Sequence, residues 1–177
     1  LAIKLDKDDS LIGVKLCSIE EDILLSSSNG KCLRFPISKL RLFSGLNSSG
    51  VRGIKLDKDQ EVISLIIPEK EAAIFTVSEN GYGKRSVSSD FRKTKRGAKG
   101  VIAMQTSERN GQLIGAAQVS DEDQVMLITN KGMLVRTQVS EINVIGRNTQ
   151  GVTVIRLKEG EKLVSLAPIS EEFMDNA

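Results

Sequence analysis

Lysine and arginine are the residues whose number and spacing could do chemistry in this sequence, and the chemistry they suit is phosphate binding. Lys31, Arg34, Lys39, Arg41, Arg52 and Lys55 follow one another with no acid between them. Lys84, Arg85, Arg92, Lys93, Lys95, Arg96 and Lys99 do so with Asp90 alone among them. A weaker third group holds Lys131, Arg136, Arg147 and Arg156. Acids precede each group: Asp6, Asp8, Asp9, Glu20, Glu21 and Asp22; then Asp57, Asp59, Glu61, Glu69, Glu71 and Glu79; then Glu108, Asp121, Glu122 and Asp123. The formal net charge of +2 conceals this, because the signs cancel over the chain but not locally.

Catalysis fits the composition poorly. The 177 residues include no histidine, which removes the commonest general base and the commonest metal ligand. Cys17 and Cys32 lack metal-ligand spacing and, in apolar strand-like contexts, read as buried free thiols of a reducing compartment. Tyr82, the single tyrosine, lies between Gly81 and Gly83 with no base beside it, so a nucleophile is not expected. Gly81 to Ser86 has the wrong spacing for a phosphate loop and no strand-to-helix context. Asn47-Ser48-Ser49 matches a glycosylation sequon, which has no meaning in the reducing compartment that the cysteines suggest. No cofactor or metal is expected. No apolar run reaches the roughly 20 residues that span a bilayer, so a membrane partner is not expected either.

The elements that must carry these charges repeat. Gly30, Gly81 and Gly132 recur at a period of 51, as do Arg34, Arg85 and Arg136; Leu11, Val62, Leu113 and Leu163 hold it to within one residue, and so do Ile23, Ile74 and Val125. Gly-Val recurs at Gly50-Val51, Gly100-Val101 and Gly151-Val152, and Ala2-Ile3-Lys4-Leu5 resembles the end of an earlier copy. Upstream sequence is therefore expected. Within a copy, the runs Leu11 to Leu16, Asp22 to Leu25, Lys31 to Phe35 and Val51 to Leu56 predict four strands. Asn29-Gly30, Asn80-Gly81 and Asn130-Lys131-Gly132 predict a central hairpin turn in each copy. Four strands per unit favour blades over a β-solenoid or a tandem of small barrels.

If the units are related by rotation, their basic halves fall on equivalent surfaces and form one band, the electrostatic footprint of a polyanion. Aromatic residues at 3% are too few for a base-stacking platform, so duplex backbone is the better ligand. The expected contacts are Lys31, Arg34, Lys39, Arg41, Arg52, Lys84, Arg85, Arg92, Lys93, Lys95, Arg96, Lys99, Lys131, Arg136 and Arg147. Of these, Arg85, Lys95 and Arg96 are expected to be exposed, and the Arg34, Arg85 and Arg136 series to mark where successive blades meet one duplex.

Four segments are specific enough to carry a resemblance: Gly81-Tyr82-Gly83-Lys84-Arg85, Lys95-Arg96-Gly97-Ala98-Lys99-Gly100-Val101, Ser107-Glu108-Arg109-Asn110-Gly111, and Gly146-Arg147-Asn148-Thr149-Gln150-Gly151-Val152. Together they closely resemble the C-terminal domain of the bacterial DNA gyrase A subunit. The resemblance implies an all-β fold, a β-pinwheel: a propeller-like disc of four-stranded antiparallel blades whose neighbours exchange strands. It also implies duplex DNA wrapped non-specifically on a basic rim. The parent would be one component of an ATP-dependent type II topoisomerase, joined with the gyrase B subunit in an A2B2 holoenzyme that introduces negative supercoils. The implied location is the bacterial cytoplasm, in association with the nucleoid.

The family's heptad Gln-Arg-Arg-Gly-Gly-Lys-Gly belongs to its first blade. Here Thr94-Lys95-Arg96-Gly97-Ala98-Lys99-Gly100 agrees with it at Arg96, Gly97, Lys99 and Gly100, in a later unit. At a 51-residue period the chain holds about three and a half units, a partial disc of three to four blades. The expected units are 6–56, 57–104 and 105–157, with 1–5 and 158–169 in flanking blades and 170–177, bearing Glu171, Glu172 and Asp175, as an acidic tail. Two other readings remain: the corresponding domain of topoisomerase IV, against which the Gly146 to Val152 run argues, and a protein-interaction platform for an acidic partner.

Overall fold

The computed structural model describes residues 3–43 and 50–169; Ala2, the Asn47-Ser48-Ser49 sequon and the acids Glu171, Glu172 and Asp175 lie outside the described residues. In chain order the strands are β1 Asp22–Ser27, β2 Lys31–Pro36, β3 Val62–Ile66, β4 Ala73–Ser78, β5 Tyr82–Val87, β6 Val101–Ile102, β7 Leu113–Val119, β8 Gln124–Thr129, β9 Leu134–Gln138, β10 Val152–Thr153 and β11 Leu163–Ile169. Single 3-10 turns at Ile37–Lys39, Ser88–Asp90 and Val139–Glu141 follow β2, β5 and β9.

The hairpins β1–β2, β4–β5 and β8–β9 stand where the repeated glycines place them. Gly30, Gly81 and Gly132 sit at φ +78°, +81° and +78°, whereas the asparagines of these turns do not take positive φ. The Gly30 N–H closes its turn on the Ser27 carbonyl at 3.0 Å, and Gly81 and Gly132 repeat this on Ser78 and Thr129. The left-handed residue is thus the one without a Cβ, as a three-residue hairpin loop requires.

The sheets do not coincide with the sequence repeat. Sheet one has the order β3-β1-β2-β6, sheet two β10-β5-β4-β7 and sheet three β11-β8-β9, with every strand pair antiparallel. Each hairpin therefore receives its flanking strands from the chain that follows it: β3 and β6 join the first hairpin, β7 and β10 the second, and β11 the third. This is the strand exchange that the resemblance implies. It also explains two expected strands that do not form. Leu11 to Leu16 and Val51 to Leu56 occupy the positions of β7 and β10, but among the described residues no earlier hairpin stands for them to join. Leu11, Ile12, Val14 and Leu16 are accordingly exposed, Leu16 at 98%. Cys17 beside them is exposed too, which corrects its reading as a buried thiol; only Cys32 is buried.

The blades stack face to face, so alternate residues of one strand enter different cores. Leu24, Cys32 and Ile66 of sheet one meet Ile74, Phe91 and Ala116 in one cluster. Phe75, Val77, Ala117 and Val119 on the opposite face of sheet two meet Val125, Leu127, Val139 and Leu163 in another. Ile23, Leu33 and Phe35, on the far face of sheet one, are covered by Ile54 with Leu56 and Ala98. Sheet two is buried on both faces, which is why β4 and β5 contain almost no exposed residue.

Candidate nucleic-acid interface

The edge of sheet one opposite β3 is formed by β2 and β6, and the basic segment 92–99 runs along it before entering β6. The Thr94 N–H donates to the Arg34 carbonyl at 2.8 Å, the Gly97 N–H to the Gly53 carbonyl at 2.6 Å and the Lys55 N–H to the Ala98 carbonyl at 2.9 Å. Backbone bonds thus fix the course of this loop. Arg52, Arg92, Lys93, Lys95 and Lys99 are exposed and Arg96 is half-buried, its guanidinium donating to the Arg52 carbonyl at 2.7 Å. Lys31, at the start of β2, joins the group through Asp57, whose carboxylate also receives Lys99. Hydrogen bonds from Lys99 and then Lys31 hold the Asp57 carboxyl below its usual range.

Lys39, the last residue of the first 3-10 turn, and Arg41 just beyond it are exposed, with the Arg41 guanidinium 5.8 Å from the Phe43 ring centroid. Lys131 is exposed at the third hairpin and reaches the Glu159 carbonyl at 3.2 Å. Arg136 is exposed, and its Nε donates to the Gln124 side chain. Arg147 is half-buried and donates to the Ile102 carbonyl at 2.8 Å, repeating one period later what Arg96 does at Arg52.

Lys84 and Arg85 correct the expected pattern. Lys84 is fully buried, and its Nζ donates to the carbonyls of Gly146, at 2.7 Å, and Arg147. Burial pushes its ammonium down to about 8, against the opposing pull of Asp90. Arg85 is 6% exposed; its Nε donates to the Ile142 carbonyl at 2.6 Å and its Nη1 meets Asp121. Arg34 behaves alike, pairing with the buried Asp22 at 2.8 Å and donating to the Ser88 carbonyl at 3.0 Å. Arg34 and Arg85 therefore tie a hairpin to the 3-10 turn of the next unit. An exposed Arg85 is ruled out because the following unit packs over it.

Sequence reasoning missed the two carboxylates that organise this edge. Asp22 binds Lys93 as well as Arg34, at 3.0 Å, and Asp57 binds Lys31 and Lys99. Asp57 lies 26 and 42 residues from its partners, so no local signal could have joined them. Tyr82 is half-buried with the Arg109 guanidinium 4.7 Å from its ring centroid, and hydrogen bonds with Arg109 and then Thr153 hold its phenol below the ordinary range. Among the described residues no three Cys, Asp or Glu side chains gather to hold a metal ion, and no helix is long and apolar enough to cross a membrane.

The family described as "DNA gyrase C-terminal domain, beta-propeller" matches residues 2–18, 21–69, 72–120 and 123–170, one match for each turn of the repeat. The chain belongs to this family. It is 49% identical over 179 residues to the DNA gyrase A subunit of Escherichia coli (strain K12), covering 99% of this chain and 20% of that protein. It is 48% identical over 171 residues to the A subunit of Pseudomonas aeruginosa gyrase, covering 97% and 18%. Among solved structures, a DNA gyrase A C-terminal domain superposes with a TM-score of 0.85 at 26% identity, covering 96% of this chain and 57% of that one. The C-terminal domain of a DNA topoisomerase IV gives 0.89 at 25%, covering 97% and 53%. The gyrase C-terminal fold is thus shared with topoisomerase IV, and sequence identity is what places this chain with the gyrase A subunits. The chain spans about a fifth of these curated relatives and a little over half of the solved domains.

Proposed function

We propose that this chain is a non-catalytic module that binds duplex DNA and wraps it along the blade edges opposite β3 and β7, within a gyrase A subunit. There it would serve ATP-dependent negative supercoiling by an A2B2 assembly with the gyrase B subunit. The observation that carries this reading is the exposed group Arg52, Arg92, Lys93, Lys95 and Lys99, fixed by backbone bonds on one edge of sheet one. Phosphate contacts from such a group bind without reading sequence and make affinity fall with salt by about 0.9 log units per phosphate neutralised. Lys39, Arg41, Lys131, Arg136 and Arg147 extend the contact to neighbouring units. Lys84, Arg85 and Arg34 serve it indirectly, by joining the blades. A duplex that follows several blades must bend, at a cost of a few kcal/mol that further phosphate contacts offset.

The test is a salt-dependent titration of duplexes of increasing length against the chain and against Lys95→Glu with Arg96→Glu. Long duplex should bind more tightly than short, and the double reversal should weaken long-duplex binding about tenfold or more at moderate salt while the unfolding midpoint holds. Unchanged affinity of the double variant for long duplex would remove the assignment.

A further inference from the structure

Two of the lysines closest to the proposed DNA path are already engaged by an acid. Asp57 Oδ1 accepts from Lys99 Nζ at 2.8 Å and Asp57 Oδ2 from Lys31 Nζ at 3.3 Å. All three side chains face solvent, at 42%, 55% and 30% exposure, so a phosphate could replace the carboxylate without any unfolding. The sheet brings both lysines to one edge, because β6 pairs with β2 at Lys31↔Ile102 and Lys99 lies just before β6, and their ammonium groups converge on Asp57. Hydrogen bonds from Lys99 and then Lys31 keep the Asp57 carboxyl below its ordinary range, which favours the charged carboxylate as their partner. The arrangement is not repeated in the next unit. One period later Tyr82, Gln150 and Glu108 stand at the three positions, and Tyr82 lies under Arg109 instead.

We propose that Asp57 is a built-in competitor for phosphate that limits the affinity of this edge for DNA and hastens release. With the carboxylate in place the three groups carry a net +1 instead of +2. A bound phosphate must displace an anion already seated, and the displaced carboxylate remains beside it as a like charge. The inference rests on the duplex-binding reading above.

The experiment compares Asp57→Asn, which keeps the shape and removes the charge, with Asp59→Asn, which removes the same charge two residues on. Asp57→Asn in the full chain should bind long duplex about fivefold more tightly at moderate salt and dissociate more slowly. The slope of log affinity against log salt should steepen by up to about 0.9 for each lysine freed. Asp59→Asn should change affinity by less than about twofold, since an exposed charge farther off is largely screened. In a Lys31→Gln, Lys99→Gln background Asp57→Asn should give no gain. Equal or weaker binding by Asp57→Asn, while Lys95→Glu with Arg96→Glu still weakens binding, overturns this role and leaves the duplex reading standing. Absence of duplex binding by every form, the unaltered chain included, overturns both.

Discussion

The first two blades and the third are built from the same repeat, yet they end differently. β6 covers the outer edge of β2 and β10 that of β5, whereas among the described residues no strand pairs with the outer edge of β9. Equivalent residues record the difference: Cys32 is fully buried beneath β6, Gly83 is buried beside β10, and Leu134 is 60% exposed. The turn glycines record it again. A Cβ on Gly30 would strike the Met104 carbonyl and one on Gly81 the Ile155 carbonyl, while one on Gly132 would meet nothing within 4 Å. The comparison shows that the glycine repeat answers two demands. Positive φ is required at all three turns, but close approach of a later strand is required only where a blade is closed.

Alanine at these glycines should give the largest effect. Gly30→Ala and Gly81→Ala combine left-handed strain with a clash against backbone and should each cost about 3 kcal/mol or more; Gly132→Ala should cost about 1 kcal/mol. Denaturant midpoints check this, and equal losses at all three positions would abolish the distinction between closed and open blades.

A smaller effect separates the blades by pH. Lys84 lies in the second blade, where Leu33 and Val135 stand in the first and third. Its ammonium is lowered by burial to about 8, from an ordinary value of 10.5, so between those pH values the unfolded chain binds the proton more strongly than the folded one. The stability contributed by Lys84 should therefore rise with pH across this window, by at most about 1.4 kcal/mol per pH unit, and be flat below it. Unfolding of the chain and of Lys84→Met at pH 7 and 9.5 measures this, the wild type gaining on the variant at the higher pH. A constant difference would refute a lysine destabilised by burial.

The smallest effect is chemical. Burial pushes the Cys32 thiol up to about 12, and β6 covers it, so a thiol reagent applied to the native chain should modify Cys17 alone. Leu134→Cys places a thiol at the equivalent site of the open blade and should add one rapidly modified group. Protection of that thiol would mean that the edge of β9 is covered in solution.

Much of the fold is legible in the sequence, because turn glycines and alternating aliphatics act over a few residues. The hairpins follow from such local signals, whereas the sheet that each flanking strand joins does not. The far ends of long side chains do not. Arg34, Arg85 and Arg136 share a period and face their strand partners Leu24, Phe75 and Met126 in the same register, yet Arg85 is buried and Arg136 exposed. Whether a basic side chain meets water or a carbonyl is decided by the next unit, as when Lys84 reaches Gly146, 62 residues away. Charge segregation in the sequence thus mixes two populations: bases that fasten blades together and bases that remain for a ligand.

Because β5 belongs to sheet two and β6 to sheet one, the basic loop between them is a strap anchored in both. A stiff duplex straightening against Lys95 and Lys99 would pull on that strap, and the load would pass into two sheets at once. It would be borne at one end by the ladder bonds of β6 on β2 and at the other by those of β5 on β4. Strand exchange thereby gives this basic loop two separate anchors, where a blade closed on its own strands would give it one.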